Sequence, residues 1–297
     1  MKYTGITYRP PFEAGSLLLQ VTSGCSHNKC AFCTMYRDVP FQVETMEQIE
    51  QDLDEVKVYA PHIKRVFLEN GDPFVLSADK LEKIAVMIHE KLPRVETIAM
   101  YASIINVRTK TDEELKTLRR LGINELNIGV ESGLDEVLTA MKKGYSGEEA
   151  VSELLRLKNA KMDFGLNIIL GAAGAGKGPE NAIATAKLVN KTQPYLIFTG
   201  TIHADPGCPL YEDIQSGAFV ENTVEEYLEE EKIFLEHLQL EKCYYFGLHP
   251  SNIVTMEGWL GRDKEALLKH IDQKKKSLSS KQLIRRPARY GEGAVLL

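Results

Sequence analysis

The fold is decided by the stretch LLLQVTSGCSHNKCAFC, residues 17–33. It joins an apolar pattern at Leu17–Thr22, which predicts a strand, to a loop that holds three cysteines. Along the rest of the chain up to about residue 200, each further predicted strand is followed by a longer predicted helix. The other predicted strands are Arg65–Leu68, Thr97–Tyr101, Leu126–Val130, Leu166–Leu170 and Tyr195–Thr199. The predicted helices are Thr45–Tyr59, Ala78–Lys91, Thr111–Leu121, Leu134–Met141, Gly147–Leu157 and Ala182–Asn190.

Six strand–helix units in succession predict a parallel sheet with right-handed crossovers. We therefore expect an α/β fold, a partial (β/α)6 TIM-like barrel over residues 16–215. An N-terminal segment (1–15) precedes it, and a C-terminal α/β extension (216–297) is expected to pack on it. In such folds the functional loops follow the carboxyl ends of the strands, so the residues after each strand are the candidates for chemistry.

The extension does not continue the strand–helix alternation predicted for the barrel. Its predicted elements are a helix at Thr223–Leu240, a strand at Cys243–Leu248, a loop at 249–259 and a helix at Ala266–Lys276. The first helix carries an acidic face that we interpret as solvated, formed by Glu225, Glu226, Glu229 and Glu230. Residues 262–297 hold ten Lys and Arg against four Asp and Glu. They form either a solvated basic surface or a landing surface for an anionic substrate.

Composition narrows the class of protein. The chain has 297 residues, 43% of them hydrophobic, and a formal net charge of −6. No apolar run is long enough to span a bilayer, and Met1–Gln20 lacks the apolar core of a signal peptide. The cysteine count of five is odd, with three cysteines clustered, which argues against a secreted disulfide framework. We expect a cytoplasmic protein with reduced thiols and no membrane contact.

The cysteine loop, Cys25–Cys33, has the spacing C-x4-C-x2-C. Structural zinc is one interpretation, with His27 as a fourth ligand, although zinc sites usually join two separated pairs of ligands. A [2Fe–2S] centre of the plant type is a second, because the spacing matches and a distant cysteine completes such a set. A third is a [4Fe–4S] cluster with three protein ligands, whose fourth iron keeps an open coordination position.

The loop resembles that of the radical S-adenosylmethionine (radical SAM) enzymes. The resemblance rests on its place after the first strand, on Phe32 directly before the third cysteine, and on the later loops. It covers about residues 16–215 and is strongest toward the elongator, methylthiotransferase and coproporphyrinogen-dehydrogenase-like members. The family's usual spacing is C-x3-C-x2-C, so one extra residue separates Cys25 from Cys30 here.

The resemblance implies a reaction and its cofactors. Cys25, Cys30 and Cys33 would hold a [4Fe–4S] cluster that binds S-adenosylmethionine and cleaves it reductively. The resulting 5′-deoxyadenosyl radical would take hydrogen from a substrate that the sequence does not identify, whether small molecule, peptide or RNA. The electron would come from a partner of the flavodoxin or ferredoxin type. An iron–sulfur carrier or sensor without this chemistry is the alternative.

The resemblance also implies which residues seat the cofactor. Asn70-Gly71-Asp72-Pro73 occupies the place of the family turn that meets the methionine amino group, although Asn-Gly also predicts an ordinary turn. Glu131 and Asn167 correspond to residues that face the ribose, and Lys143 to a cation near the cofactor carboxylate. An ordinary helix start and a surface lysine are the alternatives for Glu131 and Lys143. The full set is Phe32, Asn70, Gly71, Asp72, Ser103, Glu131, Lys143 and Asn167.

Two further features have competing interpretations. The glycine loop, Gly171–Lys177, matches the first seven positions of a phosphate-binding P-loop, but Gly178 stands where Ser or Thr should reach Mg²⁺. We interpret it as a flexible turn near the adenine and the substrate rather than as a nucleotide site. Cys208 follows the sixth strand, where a thiol could donate a hydrogen atom to a substrate radical or simply fill a buried space. Five residues are pocket candidates by position, with core or hinge roles as the alternative: His203, Tyr245, His249, Asn252 and Trp259.

Overall fold

A computed structural model describes residues 1–286 of the chain. Its strands are β1 (Leu17–Gln20), β2 (Thr22–Ser23), β3 (Gln42–Val43), β4 (Arg65–Glu69), β5 (Thr97–Ala102), β6 (Ile123–Glu131), β7 (Phe164–Leu170), β8 (Leu196–Thr201), β9 (Tyr244–Gly247) and β10 (Met256–Trp259). Its helices are α1 (Met46–Val56), α2 (Ala78–Lys91), α3 (Ile104–Arg108), α4 (Asp112–Arg120), α5 (Asp135–Ala140), α6 (Gly147–Asn159), α7 (Gly178–Thr192), α8 (Pro209–Ser216), α9 (Val224–His237), α10 (Leu260–Ser277) and α11 (Ser280–Leu283).

One eight-stranded sheet organises the molecule, in the order β1-β4-β5-β6-β7-β8-β9-β10. All neighbours are parallel except the last pair, in which β10 runs antiparallel to β9. The six predicted strands are therefore confirmed, and they follow one another in both space and sequence. Because β1 and β4 to β8 are parallel, their carboxyl ends form one edge, where the site-bearing loops lie. Strands β2 and β3 form a separate small hairpin next to the cysteine loop.

Three predicted helix starts are confirmed by their caps, whereas the helix predicted from Ala182 begins at Gly178. The hydroxyl oxygens of Thr45 and Ser77 accept hydrogen bonds from the backbone N–H groups of Gln48 and Lys80. Thr111 forms a reciprocal capping box with Glu114. The capped helices α1, α2 and α4 pack their apolar faces into one continuous core. Leu53, Leu81 and Leu115 are members of this core. None of the helices in residues 1–286 combines the length and the apolar character needed to cross a membrane.

Three predictions for the extension are wrong. The loop predicted at 249–259 contains β10, whose residues pair with Tyr244–Gly247, and the helix that follows begins at Leu260 rather than Ala266. Glu230 is not on a solvated face but is 1% exposed, because α9 packs against α7 and presents this carboxylate to buried donors. Of the basic segment at 262–297, residues 287–297 lie outside the part that the structure describes.

Candidate functional site

A cavity of about 420 Å³ lies where the strand ends meet. Ten of the twelve residues predicted for the site line it, and only Asn70 and Cys208 do not. The ten are Cys25, Cys30, Phe32, Cys33, Gly71, Asp72, Ser103, Glu131, Lys143 and Asn167. Residues that are far apart in the sequence, on five different strand–loop units, thus face one space.

The cysteine loop is fixed by backbone hydrogen bonds to two barrel segments. The Ala31 N–H donates to the carbonyl oxygen of Met141 at 3.1 Å, and the Leu210 N–H donates to the Ala31 carbonyl at 2.9 Å. The additional residue of the C-x4-C spacing is accommodated by Asn28, whose φ of 40° lies in the left-handed region that Asn tolerates. Its side-chain amide donates to the Tyr36 carbonyl at 3.1 Å, which closes the loop.

The three thiols are half-buried and unpaired with one another, and each faces the cavity. Burial raises the pKa of the Cys25 thiol to about 11, helped by the nearby Asp72 carboxylate. His27, the fourth ligand in the zinc interpretation, has its Nε2 atom 2.8 Å from the Lys142 carbonyl oxygen. Within residues 1–286, no group of His, Cys, Asp and Glu side chains converges as a single-ion site would require. The loop presents three separate soft ligands to a shared space.

The turn at Asn70–Asp72 braces the cysteine loop. Gly71 donates its N–H to the Gly24 carbonyl at 3.0 Å, and a Cβ at position 71 would lie 2.6 Å from the Cβ of Cys25. Only glycine fits this approach. Asp72 accepts hydrogen bonds from the N–H and the hydroxyl of Ser26 at 3.0 and 2.6 Å.

Asn70 lies behind this turn. It is buried, adopts a left-handed φ of 79°, and donates its amide to the Thr22 carbonyl at 2.9 Å. The prediction that Asn70 faces the cofactor is therefore corrected: its side chain supports the turn instead of lining the cavity.

Glu131 and Lys143 form a buried ion pair in the cavity wall. Lys143 Nζ lies 3.1 Å from Glu131 Oε1, and each residue is 8% exposed. Burial lowers the pKa of Lys143, but the Glu131 carboxylate, Tyr145 and Cys30 together outweigh burial and leave the pKa raised, so the lysine is charged. Gly129 leaves the space that the Glu131 carboxylate occupies. Lys143 Nζ also lies 6.0 Å from the centroid of the Phe32 ring, which links the pair to the cysteine loop.

The backbone of Glu131 is strained. Its φ is 70°, in a region that costs an L-residue about 1–2 kcal/mol. Strain of this kind is retained where the surrounding structure determines it, and it concentrates at functional positions. The strain turns the carboxylate at the end of β6 into the cavity.

Ser103 and Asn167 occupy less distinctive positions. Ser103 is the N-cap of α3 and forms a capping box with Asn106, so its hydroxyl already has a structural partner. Asn167 is half-buried on β7. One cavity residue that the sequence analysis missed is Asn127, on β6, which is 0% exposed and whose Oδ1 has no hydrogen-bond partner. A polar residue between Leu126 and Ile128 in a buried strand was the available signal.

Cys208 does not line the cavity. It is 1% exposed and packs in a second apolar cluster with residues that include Ile202, Leu210 and Tyr227. The structure places it behind the cavity wall, which favours the interpretation as a small buried residue over that of a hydrogen donor. Of the candidates chosen by position, His203 and His249 line the cavity, whereas Tyr245, Asn252 and Trp259 do not.

The glycine loop forms the predicted turn between β7 and α7, but it does not line the cavity. Its N–H groups bind carboxylates of the same chain. The Gly171 N–H donates to Glu230 Oε2 at 3.0 Å and the Gly176 N–H donates to Glu226 Oε1 at 2.9 Å. Lys177 Nζ pairs with Glu136 at 2.7 Å on the surface. Carboxylates of helix α9 thus accept hydrogen bonds from the N–H groups that, in a P-loop, would bind the phosphates of a nucleotide.

Glu230 joins this loop to the cavity wall. Its Oε1 accepts from the Asn181 amide at 2.8 Å, and its Oε2 also accepts from the Asn222 amide at 3.0 Å. Asn181 in turn accepts from the hydroxyl of Ser132, the neighbour of Glu131, at 2.5 Å. Burial raises the pKa of Glu230 to about 7, against the effect of these donors.

Comparison with known proteins assigns the sequence to a family. The sequence model of the Radical SAM superfamily matches residues 19–174, more than half of the chain. The chain is 24% identical over 178 residues to the heme chaperone HemW of Bacillus subtilis (strain 168), covering 59% of this chain and 46% of that protein. It is 25% identical over 210 residues to a tRNA-2-methylthio-N(6)-dimethylallyladenosine synthase of Neisseria meningitidis serogroup C (strain 053442), covering 66% and 46%.

Solved structures show the same fold. Methylornithine synthase aligns with a TM-score of 0.54 at 16% identity, covering 86% of this chain and 68% of that one. The archaeal Elp3 of Methanocaldococcus infernus aligns with a TM-score of 0.51 at 14% identity, covering 89% and 64%. The chain spans about half the length of the curated relatives it matches. It belongs to the radical SAM superfamily, whose members are enzymes that use a [4Fe–4S] cluster and S-adenosylmethionine.

Proposed function

We propose that this chain cleaves S-adenosylmethionine reductively and abstracts hydrogen from a substrate bound in the same cavity. The observation that carries the proposal is the meeting of three unpaired thiols with the Glu131–Lys143 pair around one space. Thiolates are suitable ligands for iron, and a carboxylate, a cation and amides are suitable partners for a sulfonium nucleoside. The residues present therefore fit both cofactors.

Cys25, Cys30 and Cys33 would hold the cluster, which supplies the electron that breaks a carbon–sulfur bond of the bound cofactor. The chain's own part is to bind, orient and enclose. Glu131 offers a carboxylate for the ribose hydroxyls, and Lys143 holds that carboxylate in place and adds a positive charge for the carboxylate of the cofactor. Asn167 lies on the neighbouring strand as a further partner. Phe32 covers one side of the lysine.

Asn70, Gly71 and Asp72 act by positioning. The turn fixes the cysteine loop through Gly24 and Ser26, and Asp72 lines the cavity on the side of Cys25. Such support matters because a displacement of about 1 Å in a reacting group can cost two orders of magnitude in rate. Ser103 keeps its place in the proposal only as part of the wall.

Other parts of the proposal come from the sequence. Radical SAM enzymes need an electron donor, and we retain a flavodoxin or ferredoxin type as the prediction. The division into residues 1–15, 16–215 and 216–297 and a cytoplasmic location also stay predictions. The latter rests on the clustered reduced thiols.

The test is anaerobic reconstitution with iron and sulfide, reduction with dithionite, and addition of S-adenosylmethionine. We expect 5′-deoxyadenosine by chromatography. Glu131→Gln should raise the KM for S-adenosylmethionine about tenfold or more, because it removes a charged acceptor, while the iron content stays unchanged. Glu136→Gln is the matched control on an exposed carboxylate. An intact cluster that yields no 5′-deoxyadenosine would favour the carrier or sensor alternative.

A further inference from the structure

The N-terminal segment contributes a fixed part of the cavity wall. Tyr8, Arg9, Pro10 and Pro11 all line the cavity. The segment is anchored next to them by Phe12, whose ring packs edge-on against Phe246 at 5.9 Å and Phe198 at 6.5 Å. The following Glu13 is fully buried and accepts from Arg65 Nε at 2.8 Å. Two prolines and these anchors hold the backbone around Arg9 in one conformation.

Arg9 carries a positive charge and is half-buried. Its Nη1 donates a long hydrogen bond of 3.4 Å to the Pro10 carbonyl oxygen. Within residues 1–286, no carboxylate lies within ion-pair distance of it. Lys143, by contrast, is paired with Glu131, and Arg65 is paired with Glu13 and Glu125. A guanidinium in a partly desolvated wall favours an anion from outside the chain.

The cavity that Arg9 lines also holds several aromatic rings and two buried polar atoms without a partner. Tyr8, Tyr36, Tyr101 and Phe198 line the same cavity, which suits a planar apolar body. Asn127 Oδ1 and the Tyr36 hydroxyl are both buried without a hydrogen-bond partner in the described structure. A bound molecule with N–H or O–H groups would satisfy them, and an unsatisfied buried group costs about 1–3 kcal/mol.

We propose that the cavity takes a small anionic substrate whose carboxylate or phosphate binds Arg9 and whose planar apolar part lies among the tyrosines. The inference rests on the proposed function for the role of the cavity. One cation without a carboxylate partner in residues 1–286, a cavity of about 420 Å³ that must also hold the cofactors, and a net charge of −6 favour one small anion over a nucleic acid.

The test uses the reconstituted full chain and three probes: benzoate, phenyl phosphate and the neutral isostere benzamide. Saturation-transfer NMR should show that an anionic probe binds about tenfold tighter than benzamide. Arg9→Gln should abolish this preference and leave the iron content and the KM for S-adenosylmethionine unchanged. Arg94→Gln is the matched control, since Arg94 is exposed and makes the same 3.4 Å bond to a proline carbonyl. The tighter of the two anions assigns carboxylate or phosphate.

Several results would overturn the inference: equal binding of benzoate, phenyl phosphate and benzamide, no binding of either anion up to its solubility limit, or a preference that survives Arg9→Gln. A higher KM for S-adenosylmethionine in Arg9→Gln would assign the arginine to the cofactor instead. Binding of bulk tRNA that needs Arg9 and is not displaced by benzoate would indicate a nucleic acid. If Arg9-dependent anion binding occurs but no 5′-deoxyadenosine forms, the proposed function fails and this inference stands.

Discussion

The cysteine loop and the glycine loop both resemble known motifs, and the structure treats them in opposite ways. The cysteine loop is held by its backbone, so its three thiols remain unpaired and face a cavity. In the glycine loop the N–H groups that could bind a phosphate already donate to the carboxylates of Glu226 and Glu230. The difference teaches that a motif signals chemistry when its reactive groups face a cavity and are not taken up by side chains of the same chain.

The largest expected effect separates cysteines that bind iron from those that fill the core. Cys30→Ser should abolish the cluster, because two thiolates cannot replace three, and iron content and the visible absorption of the reconstituted protein should fall to background. Cys208→Ser is the control within the same chain and should keep both. Equal iron content in the two variants would contradict our assignment of the cysteine loop.

The next effect tests the contact between α9 and the glycine loop. At pH 8 we expect Glu230→Gln to lower the free energy of unfolding by about 2–3 kcal/mol, because the amide cannot accept from all three N–H donors. Glu229→Gln, one residue away and exposed, should stay within about 0.5 kcal/mol of wild type. Urea unfolding measures both. A similar small effect in the two variants would mean that the loop needs no internal anion.

The pH dependence of the unfolding free energy tests a second buried carboxylate of α9. Burial raises the pKa of Glu231, the neighbour of Glu230, from 4.5 to about 7, although the Tyr245 hydroxyl donates to it at 2.6 Å. Between these values the native state binds more protons than the unfolded state, so this group's contribution to stability falls as the pH rises toward 7. We expect the difference in unfolding free energy between wild type and Glu231→Gln to fall by about 2 kcal/mol across this window. A difference that stays constant with pH would show that Glu231 titrates normally.

The smallest effect concerns Lys177, the lysine of the P-loop pattern. Its partner Glu136 is exposed, and surface ion pairs contribute about 0–1 kcal/mol. Lys177→Ala should therefore change the unfolding free energy by less than about 0.5 kcal/mol and leave 5′-deoxyadenosine formation at the wild-type rate. A large loss of activity would return the glycine loop to the list of functional candidates.

The sequence predicted what depends on local order. The six strands, the caps at Thr45, Ser77 and Thr111, and the three cysteines are each readable from a few adjacent residues, and the family resemblance gathered the site residues from separate loops. The strand β10 was missed because its four residues are stabilised by pairing with Tyr244–Gly247 rather than by their own pattern.

What the sequence could not give depends on partners that are distant along the chain. Glu230 looks like part of a solvated acidic run, and its burial follows from donors on Gly171, Asn181 and Asn222. Arg9 belongs to no sequence motif. Its proposed role as an anion site depends on the absence of neighbouring carboxylates in the described structure. Cys208 follows a strand end like the functional residues, yet the packing of α8 places it behind the wall.

The left-handed backbone of Glu131 has a consequence for protein engineering. Glycine at position 131 would relieve about 1–2 kcal/mol of backbone strain, but it would leave the buried Lys143 charge without its partner, which costs about 3–5 kcal/mol. Directed evolution for thermal resistance alone would thus retain this side chain, and a screen for stability would preserve the cavity carboxylate without selecting for turnover.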